Sequence, residues 1–207
     1  MTPHGNWEQS QEWERAWWLN NPSLHPEEQQ KNTLISKLLL INGPDLEGKS
    51  IIDIGCGPFS LLLNVKQHTE KPAQRVALDP NNYGELDSKY ALAGIERSYV
   101  KGEDISHHLN FDEAWIYNVL QHVEDPIRVL NNAVNIAKRV RIFEWINVPP
   151  YTGHLHQLSE GVLDSQFESN FKSCAWNPVL RVTGTINMDG LVSSAGNVYI
   201  AIWEKPS

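Results

Sequence analysis

The sequence predicts an α/β protein: a mostly parallel sheet with helices on both faces, an antiparallel hairpin at its end, and a helical extension at its start. Three observations carry this. Short apolar runs at 51–54, 74–78, 114–117 and 140–145 alternate with longer helix-prone segments, as buried parallel strands do. The stretch KSIIDIGCGPFSLLL, Lys49 to Leu63, takes the first of these runs into a Gly-bearing turn and out into a leucine-rich helical segment. Near the end, Val179 to Ile186 and Val198 to Trp203 alternate polar and apolar residues around a Gly-, Asn- and Ser-containing connection, the pattern of a hairpin that closes one sheet edge.

Taken in order, Trp7 to Asn20 is polar and helix-prone and carries Trp7, Trp13, Trp17 and Trp18, with Trp13 and Trp17 sharing a face. The indoles serve either as buried core or as an aromatic lid over a substrate pocket, where Trp17 and Trp18 are the candidates for contact. After Asn21 and Pro22, His25 to Leu40 reads as a core-facing helix with Leu34, Leu38 and Ile41 on one stripe and Ile35 and Leu39 beside it. Asn42 to Gly48 is a turn cluster leading into the first strand, so residues 1–42 form the extension and 43–207 the ligand-binding domain. Gln74 to Leu78 is the second strand, Tyr83 to Ala93 a helix ended by Gly94, and Arg97 to Val100 a short third strand. The fourth strand, Ala114 to Tyr117, exits into NVLQHVEDP, and Pro126 starts a helix through Ala137. Val140 to Trp145 is the fifth strand, followed by a proline-containing loop and a helix over Ser159 to Asn170.

The chain has 207 residues, enough for one α/β domain with a sizeable core. With 25 acidic against 17 basic residues, and no basic cluster beyond KRVR at Lys138 to Arg141, long nucleic acids are excluded as expected partners; a small molecule, sugar or protein suits the charge better. Cys56 and Cys174 fall in unrelated contexts, suggesting neither a disulfide framework nor a zinc site, so a reducing cytoplasm is the expectation. The first residues lack a basic start before an apolar core, and no apolar run approaches membrane length, so a soluble chain without a membrane partner is expected.

The turn after the first strand is the expected ligand site. Gly55 and Gly57 let the backbone approach a ligand, Pro58 suits a first helical position, and Asp53 at the strand's end is expected to point into the crevice. A dinucleotide turn would read GxGxxG, whereas Ser60 stands at the last position with Phe59 before it. S-adenosylmethionine (SAM), with its sulfonium, ammonium and ribose diol, instead calls for carboxylates and backbone carbonyls. Asp53 and Asp79 supply the carboxylates, Asp79 standing 22 residues past Gly57 where an acid meets a ribose hydroxyl.

On these residues the chain resembles the class I, Rossmann-like, SAM-dependent methyltransferases of the small-molecule branch. IIDIGCGP looks like their first motif, VALDP their second, GEDI their third, and DEAWIYNVLQHVEDP their fourth-strand region. The resemblance implies a seven-stranded sheet, methyl transfer from SAM, and cofactor contacts at Asp53, Gly55, Cys56, Gly57, Asp79, Pro80, one of Glu103 and Asp104, Asn118 and Val119. Phe59 departs from the family pattern, where many members carry a third glycine. The acceptor is expected to be an oxygen or nitrogen of a small molecule or sugar unit, approached by Trp17, Trp18, Glu144 and Tyr151.

Methyl transfer is an in-line displacement, so alignment supplies much of the catalysis, and a base is needed only where the acceptor sheds a proton. His122, His154 and His156 are the candidate bases, with His154 or His156 preferred because their loop follows the fifth strand. No metal is expected, since their spacing with Glu144 fixes no coordination shell. Two rivals remain: a non-catalytic module that holds SAM or a partner chain, and an NAD(P)-linked reductase on the same sheet.

Overall fold

The computed structural model describes residues 6–41, 46–65, 73–168, 176–187 and 195–206. Two helices come first, α1 (Trp7–Asn20) and α2 (His25–Leu38), and then the sheet alternates with short helices. Its strands are β1 (Ser50–Ile54), β2 (Gln74–Leu78), β3 (Glu96–Ser98), β4 (Phe111–Tyr117), β5 (Ala137–Trp145), β6 (Asn177–Asn187) and β7 (Ala195–Glu204). Between them lie α3 (Ser88–Leu92), α4 (Pro126–Ile136) and α5 (Glu160–Glu168). The seven strands run in the order β3-β2-β1-β4-β5-β7-β6, parallel from β3 to β5 and antiparallel through the terminal hairpin. The strand order reverses between β1 and β4, and ligands of open α/β sheets bind outside the carboxyl ends of strands at such a switch point.

One apolar layer packs α4 and α5 on the face that presents Ile52, Ile54, Ile116 and Ile142; a second packs α2 on Ile51, Trp115 and Phe143. Within the second layer Glu113 and Arg141, each about 1 % exposed, form a buried ion pair of 2.7 Å, with the Trp115 indole N–H donating to the same carboxylate. Arg141 also donates to the Leu39 carbonyl and so ties the end of α2 to the sheet.

Several local expectations change. The stripe of α2 that meets the sheet is Asn32, Ile35, Ser36 and Leu39, while Leu34 and Leu38 are exposed. Buried Asn32 and Ser36 obscure that stripe in an apolar count; Asn32 donates to the Phe59 carbonyl and Ser36 to the Asn32 carbonyl. After β1 the chain makes a 3-10 turn at Leu61–Asn64 in place of the expected helix; Ser60 caps it, so Pro58 is not its first residue. The predicted helix from Tyr83 is a 3-10 turn, Gly84–Asp87, followed by α3, because Asp87 turns back to accept the Tyr83 N–H and to pair with Arg97. Residues 42–45 of the first turn cluster, the end of the Ser159–Asn170 helix, Cys174 and the hairpin connection at 188–194 lie outside the described residues.

Candidate active site

The turn after β1 is held from below. Gly55 and Cys56 donate their N–H groups to the Leu78 carbonyl at the end of β2, and Asp79 accepts the Gly57 N–H at 2.9 Å. Gly55 has φ +68°, and a Cβ there would stand 1.7 Å from Cγ2 of Val119, so the approach of the turn after β4 requires glycine. Gly57 also has positive φ, but a Cβ there meets nothing within 4 Å.

Asp53 does not open into the crevice as expected. It is 1 % exposed and accepts from the Ser60 hydroxyl and the Leu61 N–H, so it shapes the turn from behind. Burial pushes its carboxyl up to about 7. Phe59 turns away from the crevice and packs against Trp18, His25 and the ammonium of Lys89, which stands 3.5 Å from its ring.

A narrow cleft with about 30 Å³ of free space, open to solvent, lies over the carboxyl ends of β1, β2 and β4. Of the residues expected at a cofactor, Gly55, Asp79, Pro80, Glu103, Asn118 and Val119 line it; Asp53, Cys56, Gly57 and Asp104 do not. The adjacent acids are told apart by their partners. Glu103 is buried and accepts the Glu124 and Asp125 N–H groups ahead of α4, whereas Asp104 turns outward to Arg128. Asn118 adopts φ +49°, and its Oδ1 is buried without a hydrogen-bond partner.

The turn from Asn118 to Gln121 rests on Glu144. One oxygen of that carboxylate accepts the N–H groups of both Val119 and Leu120, and full burial pushes the group up to about 8. Glu144 was expected beside a substrate; it lies beneath this turn and is fully buried.

Sequence reasoning weighed α1 as a lid but missed the residues by which it builds the upper wall of the cleft. Trp7, Gln11 and Glu14 line the cleft, and with Trp18 they follow the 4-3-4 spacing of one helical face. Trp7 lies 3.6 Å from the Lys101 ammonium, Gln11 donates to the His122 carbonyl and accepts from Asn81, and Arg15 donates to the Asn82 carbonyl. The face followed from sequence, Trp13 and Trp17, runs beside the cleft-lining one, and neither tryptophan lines the cleft. Trp13 is 42 % exposed and touches Gly153, where a Cβ would come within 2.8 Å of its ring. Ser10 alone is buried on α1, so its tryptophans are not core.

Of the three histidines, only His122 lines the cleft. His154 packs edge-on against it at 4.4 Å and hydrogen-bonds the exposed Tyr151 hydroxyl, while His156 bonds the Val123 carbonyl. Trp17, Trp18 and Tyr151, expected near a substrate, likewise lie outside the cleft lining. Burial holds His122 down to about 4 and His154 to about 3, so both rings are neutral at pH 7. Among the described residues no group of three or more His, Cys, Asp or Glu is arranged to hold a metal ion, and no helix is long and apolar enough to cross a membrane.

Residues 38–166, more than half of the chain, match the family described as methionine biosynthesis protein MetW. The chain belongs to the MetW family. The MetW match starts at the last residue of α2 and ends within α5, leaving α1 and the terminal hairpin outside it. Solved structures share the fold. The N-methyltransferase NodS from Bradyrhizobium japonicum WM9, in complex with S-adenosylhomocysteine (SAH), superposes with a TM-score of 0.68 at 18% identity, covering 98% of this chain and 100% of NodS. The 1,6-didemethyltoxoflavin-N1-methyltransferase of Burkholderia thailandensis, with bound 1,6-didemethyltoxoflavin and SAH, gives 0.65 at 12% identity over 93% and 87% of the two chains. The [4+2]-cyclase SpnF gives 0.62 at 12% identity over 84% and 81%. The sheet of this MetW-family chain is therefore the Rossmann-like methyltransferase fold, a scaffold that also carries a protein named for another reaction. No curated protein compared with the chain matches it.

Proposed function

We propose that this chain is a SAM-dependent methyltransferase that moves a methyl group to an oxygen or nitrogen of a small molecule or sugar unit in the cytoplasm. The observation that carries the reading is the make-up of the cleft at the sheet's switch point. Asp79, Glu103 and Glu14 outnumber its one cation, Lys101, and the Asn118 oxygen is buried with nothing to accept. A cationic ligand with donors to give fits that set. Gly55, Asp79, Pro80, Glu103, Asn118 and Val119 are the residues that would hold SAM, and SAM supplies an electrophilic methyl carbon when bound. The chain's own share is alignment and the exclusion of water by α1. NodS and the toxoflavin enzyme, both crystallised with SAH, support the reading by analogy of fold.

A second reading, a SAM-binding module without turnover, is favoured by α1 itself: Gln11 bonds both the His122 carbonyl and Asn81, so the helix closes on the cleft. Calorimetry with SAM, SAH and NADH tests the cofactor: the expected result is heat with the first two and none with NADH, and heat with NADH alone favours the reductase. SAH release from a mixed library of amines and alcohols then separates enzyme from module. Binding with no turnover across that library favours the module.

A further inference from the structure

Two groups in the cleft face each other without a hydrogen bond between them. Glu14 Oε2 and His122 Nδ1 are 3.5 Å apart, yet Nδ1 has no hydrogen-bond partner. The Gly153 backbone beside the ring favours its protonated form, against the burial that lowers it. A neutral imidazole carries one N–H, and with that N–H on Nε2 the unpartnered Nδ1 presents a lone pair. An ionised carboxylate offers only lone pairs as well. One proton on Glu14 satisfies both, because the acid's O–H then donates to Nδ1.

The surroundings direct a proton to the carboxylate and not the ring. Burial pushes Glu14 up to about 7, with the Trp18 hydrogen bond opposing and Asp79 facing it from the end of β2. His122 is held neutral by burial and by Lys31 of α2, with the neutral ring of His154 against its other side. A base that titrates near the working pH is suited to general-base catalysis.

On the methyl-transfer reading, we propose that Glu14 is the proton acceptor for the methyl-accepting group and that His122 positions it, the acceptor being an amine or hydroxyl bound where α1 meets the turn after β4. As the acceptor's nitrogen or oxygen bonds the methyl carbon, the S–CH3 bond breaks and its electron pair stays on sulfur. The acceptor's proton passes to Glu14 Oε2, is held against His122 Nδ1, and returns to water after the products leave. The base therefore comes from α1, outside the span matched by the MetW family.

The test uses the full chain labelled with 15N at histidine. The expected spectrum shows His122 as the Nε2–H tautomer, its Nδ1 resonance moving with a midpoint of about 7 as Glu14 ionises. In Glu14→Gln the amide donates to Nδ1 at every pH, so that resonance stays fixed. At saturating SAM, SAH release by the same variant with amines and alcohols should fall by about a hundredfold or more. An Nδ1–H tautomer, or a titration that persists in Glu14→Gln, overturns the assignment alone. Failure of the unaltered chain to bind SAH overturns the methyltransferase reading and the assignment with it.

Discussion

In the sheet, Glu113 and Arg141 are each about 1 % exposed and joined by two hydrogen bonds, and the strands around them are apolar on both faces. In α1 only Ser10 is buried, and the helix meets the sheet through single polar or aromatic contacts: Gln11 to His122 and Asn81, Arg15 to Asn82, Trp7 to Lys101. The floor of the cleft is thus fixed by burial, while its cover is held by interactions that water and salt weaken. Damage to the floor should unfold the chain. Damage to the cover should leave the fold and alter what the cleft binds.

The largest effect is expected at the buried ion pair. Glu113→Ala strands the Arg141 guanidinium in the interior and should cost about 3–5 kcal/mol of stability in denaturant melts. Next come the two turn glycines. Gly55→Ala drives a methyl into Val119 besides requiring a left-handed backbone, and should cost about 3 kcal/mol or more and abolish SAH binding. Gly57→Ala meets open space and should cost only the backbone strain, about 1–2 kcal/mol. Equal losses from the two would contradict the contact with Val119.

A pH series sharpens the same contrast. Glu14, Asp53 and Asp79 at about 7 and Glu144 at about 8 are all raised above their ordinary values of 4.5 for Glu and 3.8 for Asp. Their folded state binds protons more tightly than the unfolded one. This stability is complete below the ordinary values and is lost as pH rises through 7 to 8. His122 and His154, both lowered, act in the opposite sense, gaining stability as pH rises, and are spent above their ordinary 6.5. The melting temperature should therefore fall between pH 6.5 and 8, and Glu144→Gln should flatten the upper part of that fall; a rise across the window would refute the assignment of these shifts. The smallest effect belongs to the cover. Trp7→Ala removes the stacking on Lys101, about 0.5–1 kcal/mol, and should weaken SAM binding a few-fold by calorimetry with the melting temperature almost unchanged.

The same division governs what was legible in the sequence. Strand, glycine turn and second-strand acid are local patterns, so β1, β2, Gly55 and Asp79 stand where the spacing put them. Asp53 deceived because a strand-end acid is drawn by its nearest donors, here Ser60 and Leu61, and not by the crevice. Glu103 and Asp104 were inseparable until the backbone N–H groups ahead of α4 chose one. Glu14 was hidden because the Trp13–Trp17 pair draws attention to a neighbouring face of α1; the spacing of Trp7, Gln11, Glu14 and Trp18 was the available signal. His154 and His156 looked favourable by loop position, but which side of a loop faces a cleft depends on packing that no spacing records.

The covering helix is synthesised well before the residues that it grips. The carbonyl that Gln11 grips belongs to a residue added 111 positions later, and Asn81, Lys101 and Gly153 are likewise distant. Until they emerge, α1 has nothing to close on, and its polar surface, stabilised by the Asn6–Gln9 capping box, is suited to waiting in water. Its turns are made early and seated late, and a nascent chain halted before His122 carries a cover whose Gln11 still lacks its carbonyl.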